Sequence, residues 1–154
     1  MGSIRIVGIG SASGSESLGL LAIDKLEQMG WRSDYPQHQI IMDKIDRPGP
    51  ALLDCMQGAD LAIVIDALIS SHAPGEVVPL TPSDISQDEW ALSGNNLSVA
   101  ETIALGSVLG ELPDRLVILG LATNQESCVS SDEISAATIA SLQQQIANSI
   151  ELAE

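Results

Sequence analysis

The sequence predicts a doubly wound α/β domain: about five strands in a mostly parallel, twisted sheet with helices on both faces. Three observations carry that prediction. Short β-branched runs alternate with segments whose apolar residues recur every three or four positions. The run Leu61–Ile65 is wholly apolar, as a strand buried on both faces must be. Apolar residues make up 45% of the chain but aromatics only 2%, with no Phe, so the core must be built from Leu, Ile, Val and Ala. Such a core suits helices stacked on a parallel sheet.

In chain order, Ile4–Ile9 reads as the first strand, closed by Gly10, and Ser11–Ser17 as a small, polar turn. A helix follows over Glu16–Met29, with Leu18, Leu21, Ala22, Leu26 and Met29 on one side and Gly30 as its stop. Gln39–Asp43 is the second strand, the Pro48–Pro50 segment opens a short helix ending at Gly58, and Leu61–Asp66 is the third strand. Glu76–Leu80, after Pro74 and Gly75, reads as a short strand suited to an antiparallel edge, and Thr81–Asn96 as a polar loop. A helix over Ser98–Leu109, a strand over Arg115–Gly120 and a closing helix over Ser131–Leu152 complete the set. The last helix carries Ile139, Leu142, Ile146 and Ile150 on one stripe, and Ser130 or Ser131 with Glu133 supplies a capping signal. No repeat or low-complexity tract interrupts the pattern, and 154 residues suit one domain over 1–154.

Charge narrows the partners. With 21 acidic against 6 basic side chains the formal net charge is −15, a field that repels nucleic acid and anionic membrane surfaces and favours a cation or a protein carrying one. Cys55 and Cys128 are the only cysteines and form no CxxC, so a thiolate metal motif is not expected and a reducing, cytoplasmic setting fits. No basic leader and no apolar stretch of roughly 18 residues suggests export or a membrane span.

In an open parallel sheet, ligands bind at the carboxyl ends of the strands. Three segments meet that description: the turn Gly10–Gly19, Asp66 at the expected end of the third strand, and the loop before Ser98. Glu16 at the start of the first helix is either a helix cap or a ligand-facing carboxylate, and its charge opposes a phosphate there. Asp66 closes an apolar run, so its carboxylate must be solvated, hydrogen-bonded or bound to a cation, unless it serves as a turn former. His38 and His72 are the only imidazoles. His38 precedes an apolar strand, whereas His72 lies in the loop beyond Asp66 and is the outside candidate for a site. A competing pattern, Gly8, Gly10 and Gly14 with Asp43 on the second strand, has the layout of a dinucleotide fold. Its spacing is GxGxxxG, and no Lys or Arg lies between Arg5 and Lys25 to meet a pyrophosphate.

Taken together, Gly8–Ser11 followed by Glu16 and Gly19, then Gly58–Ala67, then Pro74–Val77, resemble the hydrogenase maturation endopeptidase family. Leu92–Val99 is similar to its Ser-x-His-Asp-Leu-Gly-Leu loop, Leu109–Gly120 to its last strand, and Ser131–Ile134 to its closing helix start. The resemblance implies a phosphorylase/hydrolase-like three-layer sandwich. It also implies an endopeptidase that recognises nickel already inserted in the precursor of a hydrogenase large subunit and removes the precursor's C-terminal extension. Glu16 and Asp66 match the family's two carboxylate metal ligands, so the resemblance makes them the metal-facing and catalytic pair. Asn95 stands where the family has a His ligand, and Asn96 occupies the following Asp position. Asp43 or Asp46 echoes the family's turn after the second strand and is a candidate contact to the precursor. Drift of this kind suits a branch serving a cytoplasmic bidirectional hydrogenase. The loss of the His leaves one alternative, a non-catalytic checkpoint protein of the same fold that binds nickel-loaded precursor without cutting it and so regulates maturation; a second alternative, resting on Gly8, Gly10 and Asp43, is a nucleotide-binding domain.

Overall fold

The structure, a computed structural model, describes residues 2–9, 18–30, 33, 35–45, 50–69, 76–81, 91–92, 99–123 and 136–153. The described strands are β1 (Ser3–Ile9), β2 (Gln39–Ile45), β3 (Leu61–Ile69), β4 (Val77–Leu80), β5 (Ala91–Leu92) and β6 (Arg115–Thr123). The described helices, labelled in order, are α1 (Leu18–Met29), α2 (Pro50–Met56), α3 (Val99–Leu109) and α4 (Ala136–Ala153). The sheet runs β2-β1-β3-β6-β4, with β1, β2, β3 and β6 mutually parallel and β4 antiparallel on β6. The expected antiparallel edge is therefore β4. The two-residue β5, inside the segment expected to be loop, pairs Leu68 and Ile69 of β3 in antiparallel register.

Alternation along the strands divides the apolar side chains between two cores. On one face Ile4, Ile6, Ile63, Ile65, Leu119 and Leu121 pack with Ile23 and Leu26 of α1 and with the α4 stripe Ile139, Leu142, Ile146 and Ile150. On the other, Val7, Ile9, Val64 and Ile118 pack with Leu52, Leu53 and Met56 of α2 and Ile103 of α3. Helices thus cover both faces, which is the three-layer arrangement, and aliphatic side chains fill both layers as the composition requires.

The helix α3 stops where the sequence places Gly110, whose φ of +69° is the left-handed conformation that other residues resist. The Gly110 amide donates to the Ser107 carbonyl at 3.3 Å and the Glu111 amide to the Gly106 carbonyl at 2.9 Å, the paired bonds of a Schellman cap.

Candidate active site

The chain passes from β1 to β2 on one side and then crosses to β3 on the other, so the direction of winding reverses between β1 and β3. At such a reversal the connections leave the sheet in opposite directions and open a crevice at the strands' carboxyl ends. The parallel register of β1 on β3 ends with Gly8 beside Ile65. The next residue of β3 is Asp66.

Asp66 is fully buried, with no exposed surface. This corrects the expectation that it closes the strand at the sheet's rim. β3 continues to Ile69 because β6 pairs with it in unbroken register to Thr123, and because β5 takes the β3 edge at Leu68 and Ile69. Asp66 therefore lies inside the strand, on the same face as Ala62 and Val64, towards the layer of α2 and α3. Its register partner on β6 is Gly120, so no side chain stands beside the carboxylate on that flank. Asp66 has polar or electrostatic partners of its own, while its Oδ2 atom accepts no hydrogen bond.

A carboxylate removed from water costs several kcal/mol even after relaxation, so a fold that keeps one in an aliphatic face retains it against a stability gradient. Such groups concentrate at functional sites.

Asp43 does not join Asp66. It sits on β2 beside Val7, two strands across and two residues lower, which puts the two Cα atoms about 12 Å apart on standard strand spacing. Its Oδ2 is 3.3 Å from Nη1 of Arg5 on the neighbouring strand. β2 runs on to Ile45, so Asp43 is internal to the strand and not at the tip from which a dinucleotide fold would reach a ribose. His38 lies at the opposite, amino-terminal end of the sheet, where its Nδ1 would be 3.2 Å from a Cβ on Gly2. Glu16, Asp46, His72, Asn95 and Asn96 lie outside the described residues. Among the described residues, no three His, Cys, Asp or Glu side chains gather as a metal site.

A buried carboxylate at the switch point of this topology makes comparison with known proteins decisive, and residues 32–153 match the family described as hydrogenase maturation protease. The chain belongs to the hydrogenase maturation protease family. Its fold is similar to that of the hydrogenase maturating endopeptidase HybD from E. coli, at 23% identity and a TM-score of 0.67, over 97% of this chain and 93% of that one. It is also similar to the [NiFe] hydrogenase maturation protease HybD from Thermococcus kodakarensis, at 19% identity and a TM-score of 0.63, over 99% of each chain. A third likeness is to HycI of the same archaeon, at 19% identity and a TM-score of 0.61, over 97% of this chain and 92% of that one. No curated protein matches the chain in sequence.

In this maturation protease the first turn of α1 seats on the switch point through glycine. A Cβ on Gly8 would stand 2.3 Å from the Gly19 carbonyl oxygen and 2.5 Å from Cγ1 of Ile23. A Cβ on Gly19 would stand 2.2 Å from the Ile9 carbonyl oxygen and 2.5 Å from that of Ile65. Only bare backbone lets the helix approach so closely. Sequence reasoning noted both glycines as motif letters and missed this contact, as it missed Gly120 beside Asp66 and the Arg5–Asp43 pair. A glycine inside a strand pattern is the available signal, since it marks close approach of another backbone or a ligand.

Electrostatics away from the switch point is ordinary. Lys44 Nζ donates to Oδ1 of Asp24 at 2.7 Å, joining β2 to α1, and that bond holds the ammonium above its usual pKa. Burial pushes the Cys55 thiol on α2 up from its ordinary value, with the Asp43 charge adding to the shift.

Proposed function

We propose that this protein is the endopeptidase that removes the C-terminal extension of a hydrogenase large-subunit precursor, acting at the carboxyl ends of β1 and β3 on precursor that already carries nickel. The observation that carries the reading is Asp66, a fully buried carboxylate at the topological switch point of a maturation protease fold. One domain over 1–154 and a cytoplasmic setting belong to the same proposal. Among the described residues no helix is long and apolar enough to cross a membrane.

Nickel enters this reading as part of the substrate. The residues assigned to face it are Asp66, Glu16 two positions before α1, and Asn95, with Asn96, Asp43 and Asp46 towards the precursor chain and His72 as a further donor. Carboxylates and an amide are hard oxygen donors, a poorer match to nickel than imidazole. They suit a protein that meets the metal on its precursor without removing it. Metal on the precursor supplies Lewis acidity at the scissile region. Asp66 and Glu16 hold the attacking water and take its proton, aspartic-type chemistry that needs no Ser or Cys nucleophile. An acidic surface of net charge −15 steers a cationic or metal-bearing partner towards the crevice.

The test is an anaerobic incubation with nickel-loaded and nickel-free precursor, read by mass spectrometry. Loss of mass at the C-terminus of the loaded form alone is expected. A stable complex without cleavage would overturn the endopeptidase reading in favour of a checkpoint protein.

A further inference from the structure

We propose that Gly19 is a positioning residue for Asp66, and that its lack of a side chain, together with that of Gly8, sets the geometry of the catalytic crevice. The inference rests on the processing reading above and adds to it a residue that neither touches precursor nor carries a reactive group.

The Ile65 carbonyl belongs to the peptide bond that joins Ile65 to Asp66, and the Ile9 carbonyl closes β1. Gly19 lies against both oxygens at once, at the seam where β1 and β3 diverge. Real Cβ atoms essentially never come within 3.0 Å of another heavy atom, and here the opposing atoms are backbone, with no rotamer to yield. An added methyl at Gly19 therefore moves α1, the Ile65–Asp66 peptide, or both, by about 0.5–1 Å. Gly8 braces the arrangement from below, because its α-carbon is covered by the Gly19 carbonyl and by Ile23.

Gly106 on α3 supplies the contrast. A Cβ there would stand 2.7 Å from Cδ2 of Leu53 and 2.8 Å from Cδ2 of Leu112, ends of side chains that can turn aside. One helix is thus seated by backbone and the other by leucine methyls. The rigid seating is the one beside Asp66.

The experiment compares Gly19→Ala and Gly8→Ala with Leu26→Ala. The last removes buried packing from the same helix about two turns beyond Gly19. Processing of nickel-loaded precursor is measured at saturating concentration, well below each melting temperature, with folding checked by circular dichroism. A displacement near 1 Å can cost about 100-fold in rate, so kcat should fall about 100-fold in Gly19→Ala while KM stays within about three-fold. Leu26→Ala should lose melting temperature but keep kcat. Equal loss of kcat in Leu26→Ala, or wild-type kcat in folded Gly19→Ala, would overturn the inference. So would failure of both glycine variants to fold, since the contact would then serve the fold alone. If the wild type itself does not cut, the processing reading falls, and the Asp66 amide resonance decides positioning. Displacement in Gly19→Ala but not in Leu26→Ala supports it, and an unmoved resonance overturns it.

Discussion

Replacing Asp66 by Asn separates a carboxylate kept for chemistry from one kept for structure. Asn has nearly the same shape, so the aliphatic face around Val64 and Ile118 need not repack. What changes is charge. Asp66 has no exposed surface. Its Oδ2 accepts no hydrogen bond, although the residue has polar or electrostatic partners of its own. Holding a carboxylate out of water costs several kcal/mol, whereas a buried amide costs about 1–3 kcal/mol. The variant should therefore be as stable as the wild type at pH 7, or more stable by about 1–3 kcal/mol. For a chain of this length each kcal/mol moves the melting temperature by about 2–4 °C, so a rise of up to roughly 10 °C is expected. Processing should meanwhile fall by about 100- to 10,000-fold, the range for loss of a group that handles a proton in the transition state. Thermal melts of both proteins, run beside mass spectrometry of precursor incubations, give the two numbers. A melting temperature lowered by more than about 4 °C would refute the reasoning, because it would make Asp66 a structural anchor. Undiminished cleavage would refute it from the other side.

Three further outcomes are expected. Asn95→His should bind free nickel more tightly than the wild type in calorimetric titration without being needed for cleavage, and equal affinities would mean that Asn95 does not face the metal. The association rate with precursor should fall as salt rises, since a net charge of −15 provides the steering, and a rate indifferent to ionic strength would remove that argument. Cys55 should resist alkylation near pH 8, read by peptide mapping, and react faster once urea unfolds the chain. Its folded pKa lies above the ordinary 9.0, so the unfolded chain ionises first. The stability linked to Cys55 is accordingly intact below pH 9 and declines as pH rises through the folded value.

Most of the sheet was legible because its signal is local. Leu61–Ile65 could be nothing but a strand buried on both faces, and the α4 stripe Ile139, Leu142, Ile146 and Ile150 repeats with the period of a helix. Strand ends were less legible because they depend on partners. Asp66 looks like a terminus when β3 is read alone, yet β6 supplies hydrogen-bonding partners as far as Thr123 and carries the strand three residues further. β5 was invisible for the same reason: two residues have no periodicity, and only the β3 edge at Leu68 and Ile69 makes them a strand. Within the candidate site, Asp66 was found by chemistry, as a charge ending an apolar run. Asp43 was named as a candidate too, but its pairing with Arg5 was not, since a pair across neighbouring strands depends on register, which the sequence does not state. The seating of Gly19 on two carbonyls is a fact of backbone distance, and a glycine letter alone does not distinguish it from a flexible turn.

The outer strand β4 has a consequence for how a polypeptide tail can be read. It is four residues long, and among the described residues it pairs only with β6, with Pro79 opposite Leu119 in that ladder. Pro79 offers no amide hydrogen, so its nitrogen leaves a gap in the row of donors on the side away from β6. An extended peptide trying to add itself as a further strand would meet that gap after at most a bond or two. The same gap discourages a second copy of the chain from stacking edge to edge. Strand addition, the commonest sequence-blind grip on an extended peptide, is thus disfavoured at this edge and falls to β2 at the other, where Gln39–Ile45 carries no proline.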